Sequence, residues 1–425
     1  MTTEVGSAAG ELRAGAFPEE QVRDRARRGT ASVFPPRDGY GQVLFGAGTA
    51  PPLEDVLDEA RLVPPVFMPE RLRKLIDLGR EPLYGDVDLT TTIGGFASRL
   101  PLFVSAFGST RAASGEGGVA ASTQAARLGI PMVIGENVVP VNGYRQIDAG
   151  TGSPLIGRIR AYAESVTGSA GGVVVQNSTE DADAEVWNLV YSDPASEPLL
   201  ETGRLAFELK VGQGAKPGLG GMTLLDAASA ARVAEQYATD PVFGLDGTVL
   251  RNSSPGTFTA EILRQQVRLM RNNFPRVRVW VKLHPGRDVH EAARTAWEAG
   301  ADAVTVDGAE GGTGWAPTAF LDHVGLPLAE CLRRIGTPTG CLLATGRVWE
   351  GARATKCLAL GATAVGLGRA ALLAVDTDRE AGLVRLVESI ALELRLLVSA
   401  LGKYTVDALD REDLWFPSRT SFSRR

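Results

Sequence analysis

The chain has 425 residues, 44% hydrophobic and 22% charged, with a formal net charge of −6. This is the composition of a globular protein with a large core, and the acidic balance argues against nucleic acid as the main partner, because phosphate binding leaves a basic footprint. Cys331, Cys341 and Cys357 are odd in number and form no CxxC pair, so neither a disulfide framework nor a metal site is expected. No apolar run reaches membrane-spanning length, and the amino terminus lacks the apolar core of a signal peptide, so the reading is of a cytoplasmic protein with no membrane partner.

Residues 1–98 read as a tail and extension. The stretch "PEEQVRDRARRGT" is charged and poor in apolar residues, which suits a mobile tail or a solvated helix. The stretch up to residue 98 is rich in proline and glycine, with helical patches such as "MPERLRKLIDLG", and is expected to pack on the main domain.

From residue 100 a rhythm appears. Eight short apolar runs end in glycine or polar residues, and many precede Ala-rich helical stretches: 100–107, 131–138, 171–177, 205–213, 277–284, 301–308, 340–346 and 362–368. Continuous rather than alternating apolar runs fit parallel strands buried on both faces. Eight such units predict an α/β fold, a (β/α)8 TIM barrel over 99–373, with an N-terminal extension and an insertion after strand 4. A doubly wound open sheet is the competing architecture. The helix between the sixth and seventh runs is the least clear. The interval 214–276 is too long for a simple connection and is expected above the C-terminal face, where barrel enzymes place their sites. The region 374–425 opens with "REAGLVRLVESIALELRLLVSALG", apolar at helical spacing, which predicts a closing helix or a partner-binding one.

Several strand ends carry chemistry. "LKVGQGAKPGLGG" leaves an apolar run and at once becomes rich in glycine and lysine. Glycine there costs backbone entropy and points to close backbone approach, and two ammonium groups point to an anion. The seventh and eighth runs end in "ATGRVWEG" and "GLGRAA", where Gly346, Gly366 and Gly368 offer backbone N–H groups at helix starts beside Arg347 and Arg369. In a barrel this is the usual phosphate cradle, although tight turns need glycine anyway. The sixth run ends in "DGAEGGTG", where Gly311 and Gly312 precede Thr313, suiting either a flat or anionic ligand or a plain loop. Lys282 lies inside an apolar strand and needs a partner to offset its desolvation. His284 follows on the same face, and a lone histidine is more often structural than catalytic.

Taken together, "ELKVGQGAKPGLGG", "VKLHPGRDVHEAARTAWEAGADAVTVDGAEGGTG", "LDHVGLP" and "TGRVWEGARATKCLALGATAVGLGRAAL" resemble the FMN-binding synthase domain of glutamate synthase, over roughly residues 95–405 and in the same order. The resemblance implies an FMN-bearing barrel, which in the best-known members converts 2-iminoglutarate to glutamate. It implies catalytic roles for Lys210, Gln213 and Lys282, with Lys282 near flavin N1 and O2. It places the backbone of Ser105, Ala106 and Gly108, and the turns at Gly311, Gly312, Thr313, Gly346, Arg347, Gly366, Gly368 and Arg369, around the cofactor. Gln213, Lys216, Glu136 and Glu310 are then expected on the substrate side. There are also departures. Thr345 stands where the family has an acid, Arg347 where it has a glycine, and the cysteine trio of its iron–sulfur cluster is missing.

The leading expectation is an FMN-dependent oxidoreductase acting on the C–N bond of an amino acid, imine or 2-oxo acid, with an external electron donor or acceptor. The alternatives are a flavin-binding subunit that receives ammonia or electrons from a separate chain, and a flavin-free lyase or isomerase on a phosphorylated metabolite. A homo-oligomer is left open.

Overall fold

Each of the eight apolar runs forms a strand: β1 (Leu102–Phe107), β2 (Met132–Ile134), β3 (Val173–Ser178), β4 (Leu205–Lys210), β5 (Arg278–Leu283), β6 (Ala303–Asp307), β7 (Cys341–Thr345) and β8 (Ala364–Leu367). They pair in parallel in sequence order, and β8 pairs with β1 to close the barrel, so the open-sheet alternative falls. The computed structural model describes residues 35–40, 43–44, 56–107, 116–135, 154–178, 184–212, 214, 216, 223–234, 238–244, 247–251, 257–311 and 315–417.

Helices surround the strands: α1 (Glu116–Leu128), α2 (Pro154–Ser165), α3 (Ala184–Ser192), α4 (Ala260–Asn273), α5 (Val289–Ala299), α6 (Leu328–Ile335), α7 (Gly351–Ala359) and α8 (Arg369–Thr377). Their inner faces follow helical periodicity. In α4, Leu263, Val267 and Met270 are buried at spacings of four and three, and the Thr259 hydroxyl caps the helix by accepting from the Ile262 N–H at 3.2 Å. The unclear stretch between the sixth and seventh strands is a short helix, Thr318–His323, followed by α6, which opens after Pro327. The tail forms α9 (Gly382–Ala400), which buries Leu383, Val387, Ile390, Leu394 and Val398 against the barrel and leaves Leu392 and Leu396 exposed. No helix among the described residues is long and apolar enough to cross a membrane.

The extension closes the lower, N-terminal mouth of the barrel. Thr91–Ile93 and Phe96–Ser98 form a hairpin across Gly94 and Gly95, whose φ of 54° and 92° are open to glycine at both central turn positions. Gly94 also lies against Trp280: an added Cβ would come within 2.3 Å of the indole, while the indole N–H donates to the Gly94 carbonyl at 3.1 Å. Further out, Arg61–Leu62 pairs antiparallel with Leu414–Trp415, so segments from both ends of the chain form one small sheet.

The insertion after β4 carries a three-stranded antiparallel sheet built from Thr223–Leu225, Val249–Arg251 and Thr239–Asp240. Leu250 from this sheet packs with Trp315, Ala316 and Leu321, which follow β6. That contact sets the insertion over the C-terminal side of the barrel.

Candidate functional site

Strand periodicity sends alternate residues inward, and the inner face changes character halfway up. The lower positions are Phe103, Val133, Val174, Ala206, Trp280, Ala303, Leu343 and Ala364, which cluster with Ile93 and Phe96 of the plug. Two residues higher on the same strands stand Ser105, Gln176, Glu208, Lys282, Thr305, Thr345 and Gly366. Lys210 and Asp307 lie two residues further still, on β4 and β6.

Register makes this upper layer a charge network. Gln176 is the cross-strand partner of Glu208, and Lys210 that of Lys282. Glu208 accepts from Gln176 Nε2 at 2.5 Å and from the Thr305 hydroxyl at 2.9 Å. Lys282 Nζ lies 3.2 Å from Asp307 Oδ2, with both side chains almost fully buried. The same carboxylate oxygen accepts from the Gly214 N–H at 3.1 Å, and the other accepts from the Thr345 hydroxyl. Burial pushes the proton affinity of Glu208 and Asp307 up, and the Lys282 ammonium pulls it back in part. The layer therefore pairs two acids with two ammonium groups in a dry enclosure, where charge interactions are strong.

Two polar groups near the strand ends, Ser105 on the inner face of β1 and Asn177 on the opposite face of β3 from Gln176, have no partner among the described residues. The Ser105 hydroxyl and Asn177 Nδ2 are buried without a hydrogen bond. His284 is half-buried with Nδ1 likewise unsatisfied, and burial lowers its pKa. It packs so closely on Gly212 that an added Cβ there would come within 2.8 Å of the His284 ring.

The two expected cradle turns differ. Gly366 is locked in place: a Cβ would fall 2.1 Å from Ser105 Oγ and 2.5 Å from Thr345 Cγ2. Among the described residues the nearest atom to a Cβ on Gly368 is Ser105 Cβ at 4.0 Å, and Gly368 caps α8 without a side-chain hydrogen bond to the helix N-terminus. Gly346, at φ 147°, gives its carbonyl to Arg353 Nε at 2.9 Å. Arg347 is the one non-glycine residue at positive φ among the described residues, and its guanidinium pairs with Asp58 of the extension. Arg369 donates to the Glu310 carbonyl at 2.6 Å, and burial, followed by nearby Arg347, lowers its pKa.

Glu310, expected on the substrate side, accepts from Arg353 Nη2 at 2.6 Å and from the Leu328 N–H at 3.1 Å. Arg353, 1% exposed, also reaches Asp58 at 3.0 Å, so it ties the extension to the turns after β6 and β7. Lys210 and Lys282 come together at the strand ends, Ser105 lies against Gly366 and Gly368, Ala106 follows it on β1 half-buried, and Lys216 is half-buried beyond Gly214. Gly311 ends the described part of the turn after β6. Gln213, Gly108, Glu136, Gly312 and Thr313 lie outside the described residues.

Sequence reasoning did not single out Glu208, Gln176, Thr305 or Asp307. For Glu208, Gln176 and Thr305 the signal was present, since each is polar inside a largely apolar strand and lies at even spacing from an inward residue, whereas Asp307 ends its strand and reads as the start of a loop. Asp58 and Arg353 carried no such signal, since their pairing spans 295 positions.

Comparison with known proteins agrees with the motif resemblance over a narrower span. Residues 196–380 match the conserved region in glutamate synthase. A glutamate synthase large subunit-like protein of Rhizobium meliloti is 35% identical over 182 residues, 41% of this chain and 40% of that protein. The archaeal glutamate synthase [NADPH] of Methanocaldococcus jannaschii is 34% identical over 179 residues, covering 40% of this chain and 34% of that protein. The matches thus span well under half the length of these curated relatives. Among solved structures, a mutant flavocytochrome b2 with pyruvate bound superposes with a TM-score of 0.58 at 15% identity, covering 96% of this chain and 94% of that one. The (S)-mandelate dehydrogenase of Pseudomonas putida gives 0.56 at 17% identity, covering 94% of this chain and 99% of that one. At such identities these structures show a shared fold.

Proposed function

We propose that this chain, which carries the conserved region of glutamate synthase over residues 196–380, is an FMN-dependent oxidoreductase acting on a C–N bond. It would aminate a 2-oxo acid reductively or oxidise an amine or amino acid. The observation that carries this reading is the pair of buried lysines at the ends of β4 and β5, inside a polar layer that opens beside the glycine turn of β8.

The residues present fit FMN. The N-terminus of α8 with Gly368, the space the described residues leave beside it, and Arg369 suit a terminal phosphate monoester. The Ser105 hydroxyl, unsatisfied among the described residues, suits a heteroaromatic ring with donors and acceptors on its edge. Lys282 and Lys210 bring positive charge to the same layer. Bound there, FMN supplies hydride transfer.

The chain's own residues do the rest. Lys282 and Lys210 draw anionic groups to the strand ends and hold them in a water-poor enclosure. Glu208 is held in the same layer by hydrogen bonds from Gln176 and Thr305. Lys216 stands on the loop above and offers an ammonium to a substrate carboxylate. The insertion sheet, packed on Trp315, covers this end and limits water.

The second reading, a flavin-binding subunit fed with ammonia or electrons by another chain, is favoured by one fact: the matched region covers 34–40% of the length of these two relatives. Turnover separates the two. The purified chain is assayed with 2-oxo acids, ammonia and a soluble reductant, and in reverse with amino acids and oxygen or an artificial acceptor. The enzyme reading expects turnover without any added protein. Failure across both directions, with FMN bound, contradicts it.

A further inference from the structure

Lys210 and Lys282 are cross-strand neighbours, 3% and 6% exposed. Two ammonium groups in one dry layer repel each other and each is costly to desolvate. Asp307 answers that charge, and its position is fixed from three sides. Its Oδ2 accepts from Lys282 Nζ of β5 at 3.2 Å and from the Gly214 N–H after β4 at 3.1 Å, and its Oδ1 accepts from the Thr345 hydroxyl of β7. A carboxylate so held cannot swing aside, and it holds the ammonium in turn. Glu208, the other acid of the layer, is satisfied by neutral donors, so the direct partner of Lys282 is Asp307 alone among the described residues.

We propose that Asp307 is the charge-setting, positioning residue of this site: its carboxylate fixes the Lys282 ammonium and cancels part of its charge, and so limits how strongly the site favours the anionic reduced flavin over the oxidised one. The proposal rests on the FMN reading above. It reverses the simple view of Lys282 as a bare cation. Removing the lysine leaves an uncompensated carboxylate, and removing the carboxylate leaves a bare lysine, so the two losses move the redox equilibrium in opposite directions.

The test is a dye-equilibrated redox titration of the FMN-loaded full chain at alkaline pH, for wild type, Asp307→Asn, Lys282→Met, the double variant and Thr345→Val. Asp307→Asn is expected to shift the oxidised–reduced equilibrium about tenfold toward the reduced form, which for a two-electron couple is about 30 mV upward. Lys282→Met is expected to shift it downward by a similar factor. The double variant removes both charges of the pair at once and should return close to wild type. Thr345→Val removes a hydrogen bond but no charge and should move the potential far less than Asp307→Asn. If Asp307→Asn does not fold, the double variant carries the test: a wild-type-like potential supports the proposal and a displacement of tenfold or more overturns it. FMN bound at an unchanged or lowered potential in Asp307→Asn overturns the proposal while leaving the FMN reading intact. An equal shift in Thr345→Val also overturns it, because the effect would then be structural. A wild-type chain that takes up no FMN overturns both.

Discussion

The lower and upper layers of the barrel interior share the same strands and stand only two residues apart, yet they are opposite in chemistry. Phe103 gives way to Ser105, Val174 to Gln176, Ala206 to Glu208, Trp280 to Lys282 and Ala303 to Thr305. The lower layer is sealed by the hairpin, with the rings of Phe96 and Phe103 at 5.6 and 6.4 Å from Trp280. The upper layer holds two acids, two lysines and the unsatisfied Ser105 hydroxyl. The lower layer contributes apolar burial and close packing. The upper layer gives up that contribution for charges whose desolvation is offset only in part by pairing. A chain keeps such a layer when something is to be bound there.

The largest expected effect falls below. Trp280→Ala should destabilise the fold by about 3–5 kcal/mol, as large-to-small changes in sealed cores do. Flavin affinity of the folded fraction should be undiminished, as chemical denaturation and FMN titration would show together. Loss of FMN binding at full stability would break the division between layers.

Thr305→Val comes next. It removes the hydroxyl donated to buried Glu208 at 2.9 Å and should cost about 1.5–3 kcal/mol, the range for hydrogen bonds to charged groups. Combined with Gln176→Leu, it should cost more than either alone, since both donors serve one carboxylate. No loss in either variant would mean that Glu208 is not held as an anion.

How much of this was legible in the sequence follows the same division. The strands announced themselves through continuous apolar runs, because a strand buried on both faces needs them. The turns after β7 and β8 were visible because glycine marks close approach. The direction of each strand residue was hidden: period two gives two faces but does not say which is inside. Lys282 stood out as a charge in an apolar run, while its partner Asp307 sits at a strand end, where an acid looks like ordinary loop polarity. The pairing of Asp58 with Arg347 and Arg353 was not legible at all, since contacts that far apart in sequence leave no local pattern.

A smaller effect concerns pH. Glu208 and Asp307 have folded pKa values raised above their unfolded ones. Between the two values the folded state binds more protons, so stability should fall as pH rises from the ordinary carboxylate range through the raised values. The surface acids Asp86 and Asp378 run the other way. Hydrogen bonds from Arg80 and Arg385 hold them at about 2, so their contribution is present above the ordinary value and is lost as pH falls toward 2. Urea unfolding across pH should therefore show a declining limb that flattens in Asp307→Asn. A limb unchanged in both Asp307→Asn and Glu208→Gln would remove the buried acids from the account.

The smallest effect is outside the barrel. Arg80→Ala breaks an exposed pair with Asp86 at 2.6 Å and should lower the urea midpoint at neutral pH only slightly, because solvent screens such pairs.

The most direct test of the central claim is the identity of what the upper layer holds. The chain, purified whole and incubated with FMN, is denatured in acid, and the released small molecules are separated and weighed by mass spectrometry. Equimolar FMN is the expected result. FAD in its place, or no flavin after incubation, would contradict it.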